Sequence, residues 1–430
     1  MNLEKYNFHW KENFFYNVVK KRDLYFEIAK KIEERQIVSL IGLRRVGKTT
    51  ILKQIIDFLI KDKKAKRENI LYFSFDEEEI KIEAIINEYE SKLGSALIDS
   101  KEKFFIFFDE IQKLDNWQGQ IKYYYDNYKN IKFLISGSSS LFIKNDSRES
   151  LAGRIYEFML YPLSFREFLI LKDKEELILK KKLLDDSLKK EFSYYIKRQF
   201  IEIIDKNEDI ISEYMRSILE KVIYQDIPKI YPIENEDLLF KIMRIVSSNP
   251  GIFSDYQALS KELGINRLTL SNYFFYLEES FLLKKIYNFS RNMLTSEKKL
   301  KRFYLSSSSF FVHLNNSIDE SKIIENLVIS EIQNKFFWRD PFKNEVDIIT
   351  SKNNLIIPIE VKYKNNVGMK DIKGLLKFCD VFKCKKAIVI TKNLLKKHDI
   401  KLKNGMKLKI NYIPAYLFLL EINPKTLNTN

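Results

Sequence analysis

Two short stretches of the sequence place glycines, a lysine, a threonine and adjacent carboxylates at spacings used in phosphate chemistry. Residues 42–49, GLRRVGKT, fit the pattern GxxxxGKT, in which glycines let the backbone curl around phosphate oxygens and the lysine brings positive charge to the β- and γ-phosphates. Thr49 supplies a hydroxyl for Mg²⁺. The apolar run 104–108 ends in Asp109 and Glu110, which suit holding Mg²⁺ through water and polarising an attacking water. These features predict hydrolysis of ATP with Mg²⁺ as the metal.

The predicted nucleotide site covers the whole loop and two later positions. We expect nucleotide contacts from Gly42, Leu43, Arg44, Arg45, Val46, Gly47, Lys48, Thr49 and Thr50. Catalysis is assigned to Lys48, Asp109 and Glu110, and Mg²⁺ binding to Thr49 and Asp109. Ser138, in the turn after the apolar run 131–135, is a candidate γ-phosphate sensor, with a plain Ser/Gly turn as the alternative. Arg154 is a candidate contact to the γ-phosphate or to a neighbouring subunit's nucleotide, with an ordinary surface arginine as the alternative.

The elements that must position these residues alternate along the first 170 residues. An apolar strand at 37–41 enters the loop, and apolar residues at four-residue spacing from Ile51 predict the helix that leaves it. Further apolar runs at 70–73, 104–108 and 131–135 are separated by amphipathic stretches. This alternation is typical of a parallel sheet covered by helices, so the fold class is α/β. An amphipathic stretch over 23–34 predicts a helix that leads into the first strand.

The middle of the chain reads as helices. Residues 171–235 are rich in Lys, Glu and Leu at helical spacing. Asp255 and Asn266 can cap two short helices separated by Gly264, and the apolar stretches that follow complete the pattern of a winged helix-turn-helix. Its second helix offers the candidate DNA contacts Arg267, Thr269, Asn272 and Tyr273. The alternative is a packing module, because residues 236–300 hold 9 basic and 7 acidic residues and so form no strong basic surface.

Three polar residues converge among apolar neighbours near the C-terminal end. Strand alternation puts Glu360 and Lys362 on one face, and Asp347 lies on a neighbouring predicted strand, so two carboxylates can share Mg²⁺ while the lysine orients a water. Glu325, on the preceding helix, can complete the metal shell. We therefore assign metal binding to Glu325, Asp347 and Glu360, and phosphodiester cleavage to Asp347, Glu360 and Lys362. The alternative is a Glu360–Lys362 pair at a sheet edge in a domain that does not cleave.

Several longer motifs resemble known families. The stretches GLRRVGKTT, LYFSFDEEE, FFDEIQKLDNWQ, FLISGSSSLF, LAGRIYEF and YPLSFREF look like those of the archaeal-type ATPases of the AAA+ and STAND-related group. The resemblance implies an ATP-binding core with a parallel sheet of order 5-1-4-3-2, a helical lid and a winged helix, and it implies that arginines are usual at Arg44 and Arg45. The lid's usual Gly-Gly-aromatic-Pro turn is missing near 193–200, and the serines 306–309 stand where an aspartate is often found.

The order helix, three strands, helix, strand after residue 322 resembles the restriction-endonuclease-like PD-(D/E)XK nuclease fold, whose active-site positions map onto Asp347, Glu360 and Lys362 and, less closely, Glu325. Together with the AAA+ resemblance, this order predicts the division of the chain. The predicted segments are an N-terminal linker helix (1–35), a P-loop ATPase core (36–170), a helical lid (171–235), a winged helix-turn-helix (236–305) and a PD-(D/E)XK nuclease-like domain (306–430).

Charge and composition narrow the class of partner. The chain has 430 residues, enough for several domains, and a net charge of +15, of which residues 301–430 contribute +11 from 23 basic and 12 acidic residues. The excess favours DNA as a partner, although a lysine-rich composition typical of an AT-rich genome is an alternative source. No apolar run approaches the roughly 18 residues needed to span a bilayer, so we expect a cytoplasmic protein without a membrane partner. Two cysteines spaced CxxxxC support neither a zinc site nor a disulfide framework.

These features lead to two functional hypotheses. The first is an ATP-binding protein, an ATPase that acts with or on DNA and controls a nuclease-like C-terminal domain. The second is a nucleotide-gated switch or scaffold whose C-terminal domain binds a partner without cleavage. A homo-oligomer or a partner protein is compatible with either hypothesis, whereas a transport ATPase is disfavoured because the sequence has no spanning segment.

Overall fold

A computed structural model describes residues 2–76, 80–138, 151–332, 335–352 and 355–421. The chain divides into two compact units, Met1–Pro162 and Leu163–Asn430. The motif residues 77–79 and 139–142 lie outside the described residues. In the described part of the chain, no helix is long and apolar enough to cross a membrane.

The first unit is built on one parallel sheet. Its strands are β1 (Ile37–Ile41), β2 (Ile70–Ser74), β3 (Phe104–Asp109), β4 (Ile131–Gly137) and β5 (Ile155–Met159). They pair in the order β2-β3-β4-β1-β5, and every pairing is parallel. Read from the other edge, this order is 5-1-4-3-2, as the sequence resemblance implied. Strands β1, β3 and β4 are buried at every position, which explains their unbroken apolar runs.

The helices of the first unit are α1 (Asp23–Lys30), α2 (Lys48–Lys61), α3 (Ile82–Leu93) and α4 (Trp117–Asn127). Helix α2 begins directly after the glycine loop and buries the apolar residues at four-residue spacing that predicted it. Helix α1 begins where predicted but ends at Lys30, four residues before the predicted end.

Residues before α1 pack along the edge strand β2. The Asn7 amide donates to the carbonyl oxygen of Tyr72 at 2.9 Å, and its Oδ1 accepts from the Tyr72 N–H at 2.6 Å. The His9 Nε2 lies 3.0 Å from the carbonyl oxygen of Ile70, and the Trp10 indole donates to the same oxygen at 2.7 Å. This N-terminal segment therefore covers backbone groups that an edge strand would otherwise expose.

The second unit begins with helices, as the spacing predicted. They are α5 (Phe165–Leu171), α6 (Glu175–Leu179), α7 (Asp185–Tyr195), α8 (Glu208–Lys221) and α9 (Ile227–Ile230), with a π-helical turn at Val222–Asp226. Of the serines 306–309, the last three are buried against the chain that follows α7. The Ser307 hydroxyl donates to Gln199 Oε1 at 2.7 Å, and the Gln199 N–H donates to Ser309 Oγ at 2.9 Å. These serines satisfy the hydrogen-bonding groups of the buried Gln199, so the unusual serine run has a packing role.

A five-stranded sheet follows the helices. The elements here are α10 (Glu236–Ser248), β6 (Ile252–Phe253), α11 (Tyr256–Leu263), α12 (Arg267–Glu279), β7 (Leu283–Asn288), α13 (Met293–Lys298), β8 (Lys301–Leu305), β9 (Phe336–Arg339) and β10 (Glu345–Val346). Asp255 and Asn266 cap α11 and α12 as predicted, by accepting backbone N–H groups. Strand β8 pairs antiparallel with β6 and β7, and β9 adds to β7 in parallel. The sheet order is β10-β9-β7-β8-β6, so this sheet continues past residue 305, where the sequence predicted a domain boundary.

A third sheet completes the second unit. Its strands are β11 (Ile348–Lys352), β12 (Leu355–Val361), β13 (Lys386–Thr391), β14 (Lys396–Lys401) and β15 (Lys407–Pro414). The helices of this part of the chain are α14 (Phe311–Leu314), α15 (Glu320–Ile332), α16 (Lys373–Phe382) and α17 (Ala415–Glu421). The order is β11-β12-β13-β15-β14, with antiparallel pairs at both edges and parallel pairs in the centre. Asn326 of α15 bonds both backbone groups of Leu305, at 2.8 and 2.9 Å, and so ties α15 to β8.

Candidate functional site

The glycine loop makes its turn through unusual backbone angles. Gly47 has a φ of 100° and Arg45 a φ of 66°, both in the left-handed region that glycine tolerates best. A Cβ on Gly42 would overlap the carbonyl oxygen of Leu160, so glycine is required there by the close approach of the chain after β5. The loop is therefore shaped by its own sequence and by the neighbouring strand.

Lys48 and Thr49 open helix α2 beside the loop. The Lys48 Nζ is buried, donates to the carbonyl oxygens of Gly42 at 3.0 Å and Leu43 at 3.2 Å, and lies 3.7 Å from Glu110 Oε1. A helix N-terminus directs backbone N–H groups and positive potential toward the loop, which suits phosphate. Of the other predicted loop residues, Leu43 and Val46 are buried, Arg44 and Thr50 are half-buried and Arg45 is exposed.

Asp109 is the centre of a buried hydrogen-bond network at the end of β3. Its Oδ2 accepts from the Thr49 hydroxyl at 2.5 Å and from the Tyr72 hydroxyl at 2.8 Å, and its Oδ1 accepts from the Ser136 hydroxyl. Burial, and then the neighbouring Glu110 carboxylate, raise the pKa of Asp109. Sequence reasoning assigned no role to Tyr72, and among the hydroxyls that follow the apolar run 131–135 it singled out Ser138 rather than Ser136. The available signal for Tyr72 was its position on a strand beside β3.

Glu110 follows Asp109 with a φ of 53°. The Gln112 amide bridges two predicted site residues, because it donates to Glu110 Oε2 at 2.6 Å and to Ser138 Oγ at 3.1 Å. The structure thus brings Ser138 into the same network as the paired carboxylates. Gln112 was missed because a glutamine just after a carboxylate pair carries no distinctive spacing.

The placement of Arg154 differs from the prediction for a contact within the same chain. Arg154 lies directly before β5, and its carbonyl oxygen accepts from the N–H of Ile37 at the start of β1. The glycine loop is at the other end of β1. The Arg154 guanidinium instead pairs with Asp126, with Nε 2.9 Å from Oδ1. The predicted γ-phosphate contact within the same chain is therefore wrong, and the contact to a neighbouring subunit stays a prediction.

In the second unit, the predicted carboxylates meet where β11 and β12 pair. Ile348 pairs with Ile359 at the end of the antiparallel ladder, and Asp347 lies in the bend just before β11 rather than on a strand. Asp347 Oδ2 accepts from the backbone N–H of residue 361 at 2.9 Å, and the Lys362 Nζ lies 2.6 Å from Glu360 Oε1. The three residues predicted from strand alternation are therefore brought together.

Strand β8 and helix α15 add further groups to this place. Glu325 Oε1 accepts from the Tyr304 hydroxyl at 2.9 Å. The Arg302 guanidinium forms an ion pair with Glu345, and its Nη1 lies 3.7 Å from Asp347 Oδ1. We call Glu325, Glu345, Asp347 and Glu360 the carboxylate cluster. Sequence reasoning missed Arg302 and Tyr304 because they lie in a segment assigned to a different domain, and it gave no role to Glu345.

Burial and a neighbouring charge act on two members of the carboxylate cluster. Burial, and then the charge of Asp347, raise the pKa of both Glu325 and Glu360. Glu360 Oε2 is buried and has no hydrogen-bond partner among the described residues. Within those same residues, no group of three or more His, Cys, Asp or Glu side chains has the arrangement of a ready metal site. Asp347 and Glu360, with one orphaned oxygen, fit a hard cation that takes the rest of its oxygen ligands from elsewhere.

The predicted DNA contacts on α12 divide by burial. Arg267 is exposed, and Thr269 and Asn272 are half-buried. Tyr273 is buried, and its hydroxyl accepts from the Asn235 N–H at 3.3 Å. Its predicted position on the exposed side of the helix is therefore wrong, because the aromatic ring belongs to the core under α12.

Three family models match consecutive parts of the chain. The family described as "AAA domain" matches residues 34–169. Two families described as "Domain of unknown function", DUF8612 and DUF4143, match residues 202–321 and 319–413.

The chain is also similar to whole proteins. It is 30% identical over 326 residues to "Uncharacterized protein MJ1637" of Methanocaldococcus jannaschii, covering 70% of this chain and 65% of that protein. It is 24% identical over 373 residues to an "Uncharacterized protein" of Haemophilus influenzae, covering 84% of this chain and 91% of that protein. The chain thus matches about two thirds of the length of the first relative.

Two solved structures share a coarse likeness with the chain. A mutant RuvB of Thermotoga maritima is 20% identical, with a TM-score of 0.28 over 62% of this chain and 88% of that one. Cdc6p of Pyrobaculum aerophilum is 14% identical, with a TM-score of 0.30 over 75% of this chain and 98% of that one. Because both TM-scores are low, the assignment depends on the family match, the 5-1-4-3-2 sheet and the loop geometry. The match of residues 34–169 to the family described as "AAA domain", together with the parallel sheet and the glycine loop after β1, supports an ATP-binding P-loop domain of the AAA type.

Proposed function

We propose that the protein binds and hydrolyses ATP on its first unit, and that it uses the nucleotide state to act on DNA through a nuclease-like region in its second unit. The observation that carries the proposal is the 2.5 Å hydrogen bond between Thr49 and Asp109. It joins the glycine loop to the carboxylates at the end of β3, the two parts that a P-loop ATPase needs side by side.

Thr49 and Asp109 are the residues that would hold Mg²⁺, because a hydroxyl and a carboxylate are the oxygen donors that this ion prefers beside phosphates. When bound, Mg²⁺ neutralises charge on the β- and γ-phosphates. Lys48 exchanges its two carbonyl partners for phosphate oxygens. Glu110, oriented by Gln112, accepts a proton from the attacking water, and Ser138 lies close enough to this pair to respond to the γ-phosphate.

The proposed cleavage site is the carboxylate cluster. Asp347 and Glu360 would hold a divalent cation, which supplies charge stabilisation at the scissile phosphate and a water of lowered pKa. Lys362, 2.6 Å from Glu360, orients that water. Glu325 stands at the side of the cluster, where the Tyr304 hydroxyl holds it.

DNA is proposed as the partner on two grounds. Over residues 236–305 the order is helix, strand, two helices, strand, helix and strand, which resembles a winged helix with one helix inserted before its last strand, and Arg267 is exposed at the start of α12. Residues 301–430 add a net charge of +11. A phosphate backbone is the polyanion that such a surface attracts, with an affinity that falls steeply as salt rises.

A second function, a nucleotide-gated switch without cleavage, is favoured by one specific observation. Arg302 already lies beside Asp347 and pairs with Glu345, so an internal cation partly balances the carboxylate cluster. In this alternative the cluster stabilises the second unit, and the C-terminal region binds a partner.

One experiment separates the two functions. The purified protein is incubated with Mg²⁺ or Mn²⁺ and with plasmid, duplex, single-stranded and branched DNA, with and without ATP, and both phosphate release and strand cleavage are measured. Lys48→Ala should abolish phosphate release, and Asp347→Ala should abolish cleavage alone. The matched controls are Lys53→Ala on the same helix and Asp399→Ala on β14, which should retain both activities. Phosphate release without cleavage of any substrate would leave the switch as the function.

A further inference from the structure

Arg302 is a buried arginine held beside the carboxylate cluster. It lies on β8, is 6% exposed, and its guanidinium carbon is 4.8 Å from the ring centroids of both Phe253 and Phe337. This aromatic pair and the ion pair with Glu345 fix the guanidinium in place. Its Nη1 therefore stays 3.7 Å from Asp347 Oδ1.

The cations around the carboxylate cluster have different partners. Lys362 pairs with Glu360, and Arg339 pairs with Glu345 at 2.9 Å. Arg302 contributes the ion pair with Asp347. An arginine does not lose its proton in proteins, so its charge stays beside Asp347 at any working pH.

A divalent cation on Asp347 would meet the charge of Arg302 at short range. The cation must lie within about 2.0 to 2.6 Å of a carboxylate oxygen, and Arg302 stands only 3.7 Å from that carboxylate. Like charges at such separations, in a poorly solvated place, repel strongly. Occupancy of Asp347 by the metal and close approach of Arg302 therefore oppose each other.

We propose that Arg302 is a resident counter-ion that competes with a divalent cation for Asp347, and so sets the metal affinity of the carboxylate cluster. The inference rests on the proposed metal binding of Asp347 and Glu360. Arg302 belongs to β8, whereas Asp347 lies in the bend before β11 and Glu360 lies on β12. Any event that moves β8 relative to these two residues changes the metal affinity, which makes Arg302 a positioning residue that regulates the site.

The test is a calorimetric titration of the full-length protein with Mn²⁺ alone, at one neutral pH, supported by the shift of Tm that Mn²⁺ produces. Arg302→Gln removes the charge and retains hydrogen-bonding capacity, so it should bind Mn²⁺ at least about tenfold more tightly than the wild type. Arg302→Lys keeps the charge and should stay close to the wild type. Arg339→Met is the matched control, because it removes a neighbouring cation that pairs with Glu345, and it should also bind like the wild type.

The outcomes distinguish this inference from the proposed function. Mn²⁺ binding that is lost in Asp347→Asn, but is equally tight or weaker in Arg302→Gln, would overturn the inference and leave the metal site standing. Absence of Mn²⁺ binding from the wild type and every folded variant would overturn both. Binding that is detectable only in Arg302→Gln, and lost again when Asp347→Asn is added, would support the inference in its strongest form. If Arg302→Gln does not fold, a tenfold tighter affinity in Arg302→Lys would still contradict the inference.

Discussion

Replacing Tyr72 by phenylalanine tests whether the hydrogen bonds around Asp109 serve nucleotide chemistry. The Tyr72 hydroxyl donates to Asp109 Oδ2 at 2.8 Å, and both residues are buried. Phenylalanine keeps the ring in the sheet and removes only the donor. Asp109 Oδ2 then depends on Thr49, the hydroxyl that Mg²⁺ is proposed to recruit.

The size of the effect follows from the kind of bond that is lost. A hydrogen bond to a charged group contributes about 1.5–3 kcal/mol. If Tyr72 positions Asp109 for Mg²⁺, Tyr72→Phe should therefore lower the Mg²⁺-dependent rate of ATP hydrolysis by about 10- to 100-fold, since 1.4 kcal/mol corresponds to a factor of ten. Raising the Mg²⁺ concentration should recover part of the loss, because the weakened step is metal binding.

The assay is steady-state phosphate release at saturating ATP over a range of Mg²⁺ concentrations. Tyr89→Phe is the matched control, because Tyr89 is also a buried tyrosine of the first unit, and its hydroxyl donates to the Glu68 carbonyl oxygen away from Asp109. This control should keep the wild-type rate and Mg²⁺ dependence. A folded Tyr72→Phe protein with the wild-type rate at every Mg²⁺ concentration would refute the reasoning.

Three further substitutions probe the scaffold around the two sites. Burial lowers the pKa of His9 from its ordinary 6.5 to about 4, so as pH falls between these values the unfolded chain binds a proton that the folded chain does not. The free energy of unfolding should therefore fall by up to about 1.4 kcal/mol per pH unit across this window. In urea titrations at several pH values His9→Gln should lose less stability over the same window, and an unchanged pH dependence would refute the role of His9. Gly42→Ala places a Cβ against the Leu160 carbonyl oxygen, so it should cost about 1–3 kcal/mol of stability and weaken the binding of a fluorescent ATP analogue; unchanged nucleotide affinity would contradict the role given to this glycine. Asn326→Ala leaves both backbone groups of Leu305 buried without their partner and should cost about 1–3 kcal/mol for each group in chemical denaturation, while Asn393→Ala, at an exposed side chain, should change little.

Local patterns in the sequence were sufficient to predict those elements and motifs whose geometry depends only on residues close together along the chain. The glycine loop, the strand that enters it and the helix that leaves it are continuous in sequence, so their spacing predicts their geometry. The sheet order came from resemblance, because which strands pair is a property of long-range packing. Strand alternation placed Glu360 and Lys362 on one face, and Asp347 was expected beside them because its segment directly precedes that strand along the chain.

The residues that sequence reasoning missed or misplaced all depend on contacts between distant segments. Tyr72 reaches Asp109 from a neighbouring strand, and Arg302 reaches Asp347 from a segment assigned to a different domain. Arg154 was misplaced because the end of the sheet at which a loop residue falls depends on where β5 begins. Tyr273 was misplaced because the amphipathic pattern of α12 is weak, and an aromatic ring with a hydroxyl suits either the core or the surface.

Residues 34–169 are proposed to hydrolyse ATP with Glu110 as the group that activates water. The most direct measurement compares ATP binding and phosphate release in the wild type and in Glu110→Gln, which keeps the size of the side chain and removes its charge. We expect Glu110→Gln to bind ATP as the wild type does and to release phosphate about 100-fold or more slowly. Hydrolysis at the wild-type rate by Glu110→Gln, or ATP binding without hydrolysis by the wild type, would contradict the claim.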